Sequence, residues 1–182
     1  MTLSSPADRE PIHTRQIECR GYRRRDGLWD IEGHLTDTKA YAFHNKHRGE
    51  VKPGEPVHDM WIRLTIDDDF KIHDVEAVTD ASPFAICPDI TPNFAVLKGL
   101  TIGKGWRRAV TERLGGVHGC THLVELLGPL ATAAFQTIFP VRERETQGRT
   151  ASGRPVLLNS CHAFRSDSPV VKTRWPEFYT GS

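Results

Sequence analysis

The sequence predicts an α+β fold, in which an antiparallel β-meander is followed by a helical layer packed on one face of the sheet. Up to about Asp80, apolar and polar residues alternate, which is typical of half-buried strands. After Asp80, apolar residues recur at helical spacing. The chain has 182 residues, for which we expect a flexible leader over 1–11 and a single domain over 12–182 with an extended C-terminal tail.

The meander is predicted to run from about Ile12 to Val78. Its clearest strand places Met60, Ile62 and Leu64 on one face, because side chains alternate along a strand. In order, the predicted elements are strand 12–25, turn Asp26-Gly27, strand 28–35, turn Thr36-Asp37-Thr38, strand 39–43, surface loop 44–56, strand 57–66, turn 67–69 and strand 70–78.

The helical part is predicted as a short helix at Phe94–Leu100, a second at Trp106–Leu114 and a long one after the glycine-rich segment Gly115–Gly119. The long helix is expected to end near Phe139 and to kink or restart at Pro129. Its apolar positions form one face, namely Leu123, Leu126, Leu127, Leu130, Ala134 and Ile138.

Composition narrows the function classes. The formal net charge is +1, so nothing indicates binding to nucleic acid or to an anionic membrane, and we expect no apolar run of bilayer length. With four cysteines, none closely paired, and no secretory signal, we expect a cytoplasmic protein without a zinc-finger or thioredoxin motif. The expected partner is a small-molecule substrate or another protein, and a homo-oligomer stays open.

Cys120 and His122 lie where the glycine-rich segment enters the long helix. The positive end of a helix dipole favours a thiolate, which is both a nucleophile and a metal ligand. The alternative interpretation is that Cys120 is a small buried apolar residue at a helix start.

The first functional hypothesis is a metal site for zinc or iron. It would use Cys87, Cys120 and His122, with Cys161 or His162 as a further ligand, because thiolates and imidazoles suit both metals. Four protein ligands would indicate a structural or scaffold role. Three ligands with an open position would indicate catalysis on a small carboxylate or acyl substrate.

The second hypothesis is a metal-free enzyme for acyl or CoA-thioester substrates, with Cys120 as nucleophile and His122, His118 or His162 as base. Arg23 and Arg24 would bind the carboxylate or CoA. His58 and Asp59 are a further candidate pair of base and orienting carboxylate, although adjacent strand residues point to opposite faces and cannot simply bond each other. The third hypothesis is a non-enzymatic scaffold or assembly module.

Several segments resemble domain-of-unknown-function family 2889. They are Arg20-Gly21-Tyr22-Arg23-Arg24, Asp26-Gly27-Leu28-Trp29-Asp30-Ile31-Glu32-Gly33, Asp37-Thr38-Lys39, Val57-His58-Asp59-Met60 and Gly119-Cys120-Thr121-His122-Leu123. The resemblance covers most of the chain. It implies a bacterial cytoplasmic protein and supplies no activity.

The order of elements over Leu28–Phe139 is also similar to the scaffold proteins of iron–sulfur cluster assembly (IscU/SufU type). This resemblance implies that Cys87 and Cys120 correspond to cysteines that hold zinc or a nascent cluster there. The glycine-flanked cysteine near the second strand of that family is not evident, and the stretches before Leu28 and after Phe139 have no counterpart.

Overall fold

A computed structural model of the chain describes residues 3–146 and 153–181. The chain divides into two compact units, Met1–Phe135 and Gln136–Ser182. The strands are β1 (His13–Arg23), β2 (Trp29–Lys39), β3 (Phe43–Asn45), β4 (Gly49–Val51), β5 (Pro56–Ile66) and β6 (Ile72–Ala81). The α-helices are α1 (Trp106–Leu114), α2 (Thr121–Thr146) and α3 (Pro169–Arg174). The 3-10 helices are Cys87–Leu97, Gly116–His118, His162–Phe164 and Pro176–Phe178.

The first unit contains a four-stranded antiparallel sheet in the order β1-β2-β5-β6, which confirms the α+β prediction. Strands β3 and β4 pair as a separate two-stranded sheet between β2 and β5 in the chain, where the sequence predicted a short strand over 39–43 and a loop over 44–56. Alternate residues of β2 are buried, including Ile31 and Leu35. They lie opposite Leu64 and Met60 of β5, so one face of the sheet forms the core.

Strand β2 continues through Thr36-Asp37-Thr38, so the predicted turn there is wrong. A polar tripeptide with an aspartate is typical of a turn when it is judged locally. Here Asp37 is paired on both sides, with Arg15 of β1 and His58 of β5. The register of β2 and β5 shifts between Asp37 and Thr38, and such irregularities re-aim side chains near functional sites.

The helical layer covers the core face of the sheet. A Cβ atom on Gly33 of β2 would lie 3.1 Å from the Leu130 side chain of α2, so the absence of a side chain at this position lets the helix approach closely. The Trp106 indole of α1 donates a 3.1 Å hydrogen bond from Nε1 to the Leu127 carbonyl, which ties α1 to α2. The observed α1 has the predicted bounds.

Helix α2 differs from its prediction at two points. It runs through Pro129 as one element, so it does not restart there, and it ends at Thr146 rather than near Phe139. The predicted helix at Phe94–Leu100 is instead a 3-10 helix that begins at Cys87.

Within α2, Thr121–Arg144 is long and apolar enough to cross a membrane by length and composition alone. The expectation of no such stretch is therefore wrong, and it failed because Glu125 and Pro129 interrupt the apolar residues in the sequence. The exposed positions recur every three or four residues, at Thr121, Glu125, Gly128 and Thr132, with buried leucines between them. This one-sided pattern is typical of a helix that covers a protein core.

The second unit has its own small set of contacts. Ser168 caps α3 by accepting a hydrogen bond from the Val171 N–H. The aromatic rings of Phe164 and Trp175 pack with their centroids 5.4 Å apart. The sequence predicts a polar break without apolar periodicity over Gln147–Pro155, and its residues 147–152 lie outside the described residues.

Candidate metal and acid–base site

Four elements of the first unit bring polar side chains together. Arg15, Asp37 and His58 lie in one row across β1, β2 and β5, and His122 lies in the first turn of α2. The chain enters α2 tightly, because a Cβ atom on Gly119 would lie 2.3 Å from the Leu114 carbonyl oxygen. Glycine is therefore required just before the helix that carries His122.

Asp37 is the centre of this site, and its side chain is 3% exposed. Its Oδ1 accepts from Arg15 Nε at 2.8 Å and lies 2.9 Å from His13 Nε2. Its Oδ2 accepts from Arg15 Nη2 at 2.7 Å and lies 3.0 Å from His58 Nδ1. The two carboxylate oxygens thus have four polar contacts, and the planar guanidinium fixes the orientation of the carboxylate.

These contacts hold Asp37 in its ionised form. Burial alone would raise its pKa, but the hydrogen bonds and charge of Arg15, together with the hydrogen bonds of His13 and His58, outweigh burial and lower the pKa to about 2. An ionised carboxylate can only accept hydrogen bonds. The proton between His58 and Asp37 therefore resides on His58 Nδ1.

His58 and His122 favour the neutral form. Burial lowers the pKa of His58, and the neighbouring His122 lowers it further, against the opposing effect of Asp37. Burial also lowers the pKa of His122, as does the charge of Arg15, while Asp37 and Glu125 oppose them. A neutral imidazole is the form that binds metal ions.

His58 and His122 stack, with ring centroids 3.7 Å apart and an angle of 29° between the ring planes. His122 Nε2 lies 3.9 Å from Asp37 Oδ2. One ligand atom from each of Asp37, His58 and His122 lies within 4.8 Å of the other two. Among residues 3–146 and 153–181, this is the group of three His, Cys, Asp or Glu side chains that could share a metal ion.

Cys120 directly precedes α2, and its carbonyl accepts the 2.8 Å hydrogen bond from Val124 N–H that opens the helix. Its half-buried Sγ lies 3.9 Å from His122 Nδ1 and 4.0 Å from Met60 Sδ. The two nitrogens of His122 thus face different groups. Nε2 is directed towards Asp37 and Nδ1 towards Cys120.

The other predicted ligands lie elsewhere in the chain. Cys87 begins the 3-10 helix after β6, while the exposed Cys161 and the neighbouring His162 belong to the second unit. In the described parts of both units, none of these residues belongs to a group of three side chains whose ligand atoms are mutually within 4.8 Å. Their role as ligands stays a prediction.

His58 and Asp59 point to opposite faces of the sheet, as expected for neighbours in a strand. Asp59 Oδ1 lies 2.7 Å from His34 Nε2, and the His34 ring stacks on the Trp61 indole with centroids 3.7 Å apart. Asp59 therefore does not orient His58. Asp37 is the carboxylate that does so.

The basic end of β1 has local partners. Arg24 Nη2 donates to Asp26 at 2.6 Å and Arg24 Nη1 to Asp30 at 3.3 Å, while the Arg23 guanidinium lies 5.4 Å from the centre of the Trp29 ring. Binding of a carboxylate or CoA by Arg23 and Arg24 stays a prediction.

The sequence analysis missed Asp37, Arg15 and His13 as members of the site. The signal that could have revealed Asp37 is its parity, because it continues the series Trp29, Ile31, Gly33 and Leu35 on the core-facing side of β2. An aspartate in a core-facing position needs partners, since a buried carboxylate without them is costly. Placing a turn at 36–38 concealed that parity.

Residues 13–136 match a family model described as "Protein of unknown function (DUF2889)". The matched range contains Asp37, His58, Cys120 and His122. No curated protein and no solved structure matches the chain. The similarity to iron–sulfur scaffold proteins therefore has no support from structural comparison.

Proposed function

Because the chain belongs to the DUF2889 family, whose description gives no activity, we propose a function from the site itself. The protein binds one divalent metal ion, zinc or iron, through Asp37, His58 and His122. Three protein ligands leave coordination positions open, as in catalytic rather than structural sites. The metal would polarise the carbonyl of a small carboxylate or acyl substrate, or activate a water molecule.

The observation that carries this proposal is the mutual approach of three ligand atoms from β2, β5 and α2 to within 4.8 Å. Two histidines and one carboxylate are a ligand set used by non-haem iron and by zinc. The protonation states of the ligands also favour binding of a cation, because Asp37 is ionised and the pKa values of His58 and His122 are lowered. For His58 Nδ1 to act as a ligand, the ring proton that faces Asp37 Oδ2 would move to Nε2, so that the imidazole stays neutral.

Arg15 supports the proposal as an orienting group rather than a ligand. It holds Asp37 through two hydrogen bonds and forms an ion pair with Glu125. Partners of this kind fix the direction of a metal-ligating carboxylate. Arg15, Asp37 and Glu125 together carry a net charge of −1, because two carboxylates face one guanidinium. The surroundings of the site therefore still attract a cation.

The test is metal analysis of protein purified without a histidine tag, followed by titration of the chelator-treated protein with Zn²⁺ and, without oxygen, Fe²⁺. We expect one ion per chain in the wild type and loss of binding in His58→Gln and His122→Gln. His34→Gln is the matched control, because it removes a histidine from the opposite face of the same sheet. Equal binding by the control and the two site variants, or no binding by the wild type, contradicts the proposal.

A metal-free thiol enzyme is the second candidate, favoured by the 3.9 Å distance between Cys120 Sγ and His122 Nδ1 at the start of a helix. His122 would then be the base for a Cys120 nucleophile acting on acyl or thioester substrates. Modification by iodoacetamide separates the two candidates. Rapid reaction at Cys120 that slows in His122→Gln but is unchanged by chelator treatment supports the thiol enzyme, whereas protection by bound zinc supports the metal site.

A further inference from the structure

A second cluster of potential ligands lies on the Nδ1 side of His122 and contains two sulfur atoms. Cys120 Sγ is 4.0 Å from Met60 Sδ and 3.9 Å from His122 Nδ1. Met60 belongs to the middle of β5, and Cys120 directly precedes α2. Both residues belong to the first unit, which also carries the Asp37 cluster.

We propose that Met60, Cys120 and His122 form a binding site for copper(I). With metal–sulfur bonds of about 2.3 Å and a metal–nitrogen bond of about 2.0–2.1 Å, a trigonal ion needs its sulfurs about 4.0 Å apart and a sulfur about 3.8 Å from the nitrogen. Cys120 Sγ lies 4.0 Å from Met60 Sδ and 3.9 Å from His122 Nδ1, so both separations that involve the thiol match those of a three-coordinate ion.

The chemistry of the ligands selects this ion over zinc, iron or magnesium. Thiolate and thioether are soft ligands, and their combination with imidazole is suited to copper(I). The thioether is decisive, because methionine is a poor ligand for harder cations.

Burial also suits the proposal. Met60 is 1% exposed and lies in an apolar neighbourhood that includes Leu35, its partner across the strands. Cys120 and His122 are only partly buried, so an ion can reach the site from their side. The buried Met60 side chain lies on the core side of the site. An apolar surrounding limits access of water to the bound ion.

This inference does not rest on the proposed zinc or iron site. The two sites share the His122 ring but use different nitrogens, and the remaining ligands are different residues. Substitutions can therefore distinguish binding at one site from binding at the other. Replacement of Met60 should weaken the binding of copper(I) and leave the binding of zinc or iron unchanged.

The experiment uses the full chain in a background with Cys19, Cys87 and Cys161 replaced by serine, which leaves Cys120 as the remaining thiol. Chelator-treated protein is titrated with copper(I) without oxygen, in competition with a coloured copper(I) chelator. We expect one copper(I) per chain. Met60→Leu should weaken binding at least tenfold, and Cys120→Ser should abolish it.

Met60→Leu conserves volume, a kind of change that cores tolerate well, and circular dichroism checks that the variant folds. His34→Gln, which changes a histidine on the opposite face of the sheet, is the matched control and should keep the wild-type affinity for copper(I). X-ray absorption of the copper-loaded protein should show two sulfur ligands, and one in Met60→Leu. Wild-type affinity in folded Met60→Leu or in Cys120→Ser, loss of copper(I) binding in His34→Gln, or no binding by the parent protein overturns the proposal.

Discussion

The two faces of the central sheet each carry a histidine–aspartate pair, and the pairs differ in their surroundings. On the helix-covered face, the side chains of His58 and Asp37 are 14% and 3% exposed. On the open face, those of His34 and Asp59 are 24% and 26% exposed.

The partners of the two pairs differ as well. Asp37 has additional contacts with Arg15 and His13, and His58 stacks on His122. Asp59 contacts His34, and the His34 ring stacks on Trp61. The comparison shows that a histidine–aspartate pair alone does not make a ligand cluster. A ligand cluster also requires burial and a third side chain from another element.

The largest loss of stability should come from removing the Asp37 carboxylate on the helix-covered face. Asp37→Ala leaves the guanidinium of Arg15 and two histidines without their shared acceptor, and breaking a buried ion pair in this way costs about 3–5 kcal/mol of stability. Asp59→Ala on the open face should cost only about 0–1 kcal/mol, as exposed pairs do. Urea unfolding of chelator-treated protein measures both, and equal losses would remove the distinction between the faces.

The next effect concerns apolar packing on the covered face. Leu127 of α2 is 1% exposed, and Leu127→Ala should lower the free energy of unfolding by about 2–5 kcal/mol. Arg24→Ala removes exposed ion pairs and should cost less. Thermal melts of the two variants measure the loss of stability in each. A larger loss of stability in Arg24→Ala than in Leu127→Ala would contradict the expected order.

The covered site should also make stability depend on pH. The folded protein lowers the pKa of His58 and His122 from 6.5, and that of Asp37 from 3.8 to about 2. Groups whose pKa is lower in the folded state stabilise it above their unfolded pKa, and this stabilisation is lost as the pH falls. Stability of the metal-free protein should therefore decline below about pH 6.5 and decline further below about pH 4.

Variants separate the two parts of this pH profile. His122→Asn should flatten the decline between about pH 6.5 and 5, and Asp37→Asn should reduce the decline below about pH 4. Leu127→Ala is the control, because it should lower stability similarly across the pH range. Unfolding by urea at each pH measures the profile. A profile that keeps its shape in both site variants would show that other groups cause the decline.

The smallest effect should arise on the open face, where Arg63 bridges Glu32 and Glu76 across neighbouring strands. The Arg63 side chain is 46% exposed, so Arg63→Ala should cost about 0.2–1 kcal/mol. Raising the salt concentration should reduce the difference from the wild type, since salt screens exposed charges. A loss that is large and independent of salt would indicate that this face is not open in solution.

The sequence predicted those elements whose signal lies in neighbouring residues. Alternation indicated the strands, and the helical spacing of Trp106, Val110 and Leu114 indicated α1 with its observed bounds. The same reasoning failed at Thr36–Thr38, where pairing with strands on both sides overrides a local preference for a turn. The sequence analysis correctly placed Cys120 and His122 at the N-terminal end of α2.

The fold class, the position of the long helix and the presence of a thiol and an imidazole at its start follow from local patterns in the chain. Which side chains meet at that helix start depends on how the strands and the helix pack together. Asp37 and His58 come together through the register of β2 with β5, and His122 reaches them because α2 packs on that face. Strand and helix periods are short-range properties of the chain, whereas register and packing depend on contacts between residues far apart in sequence.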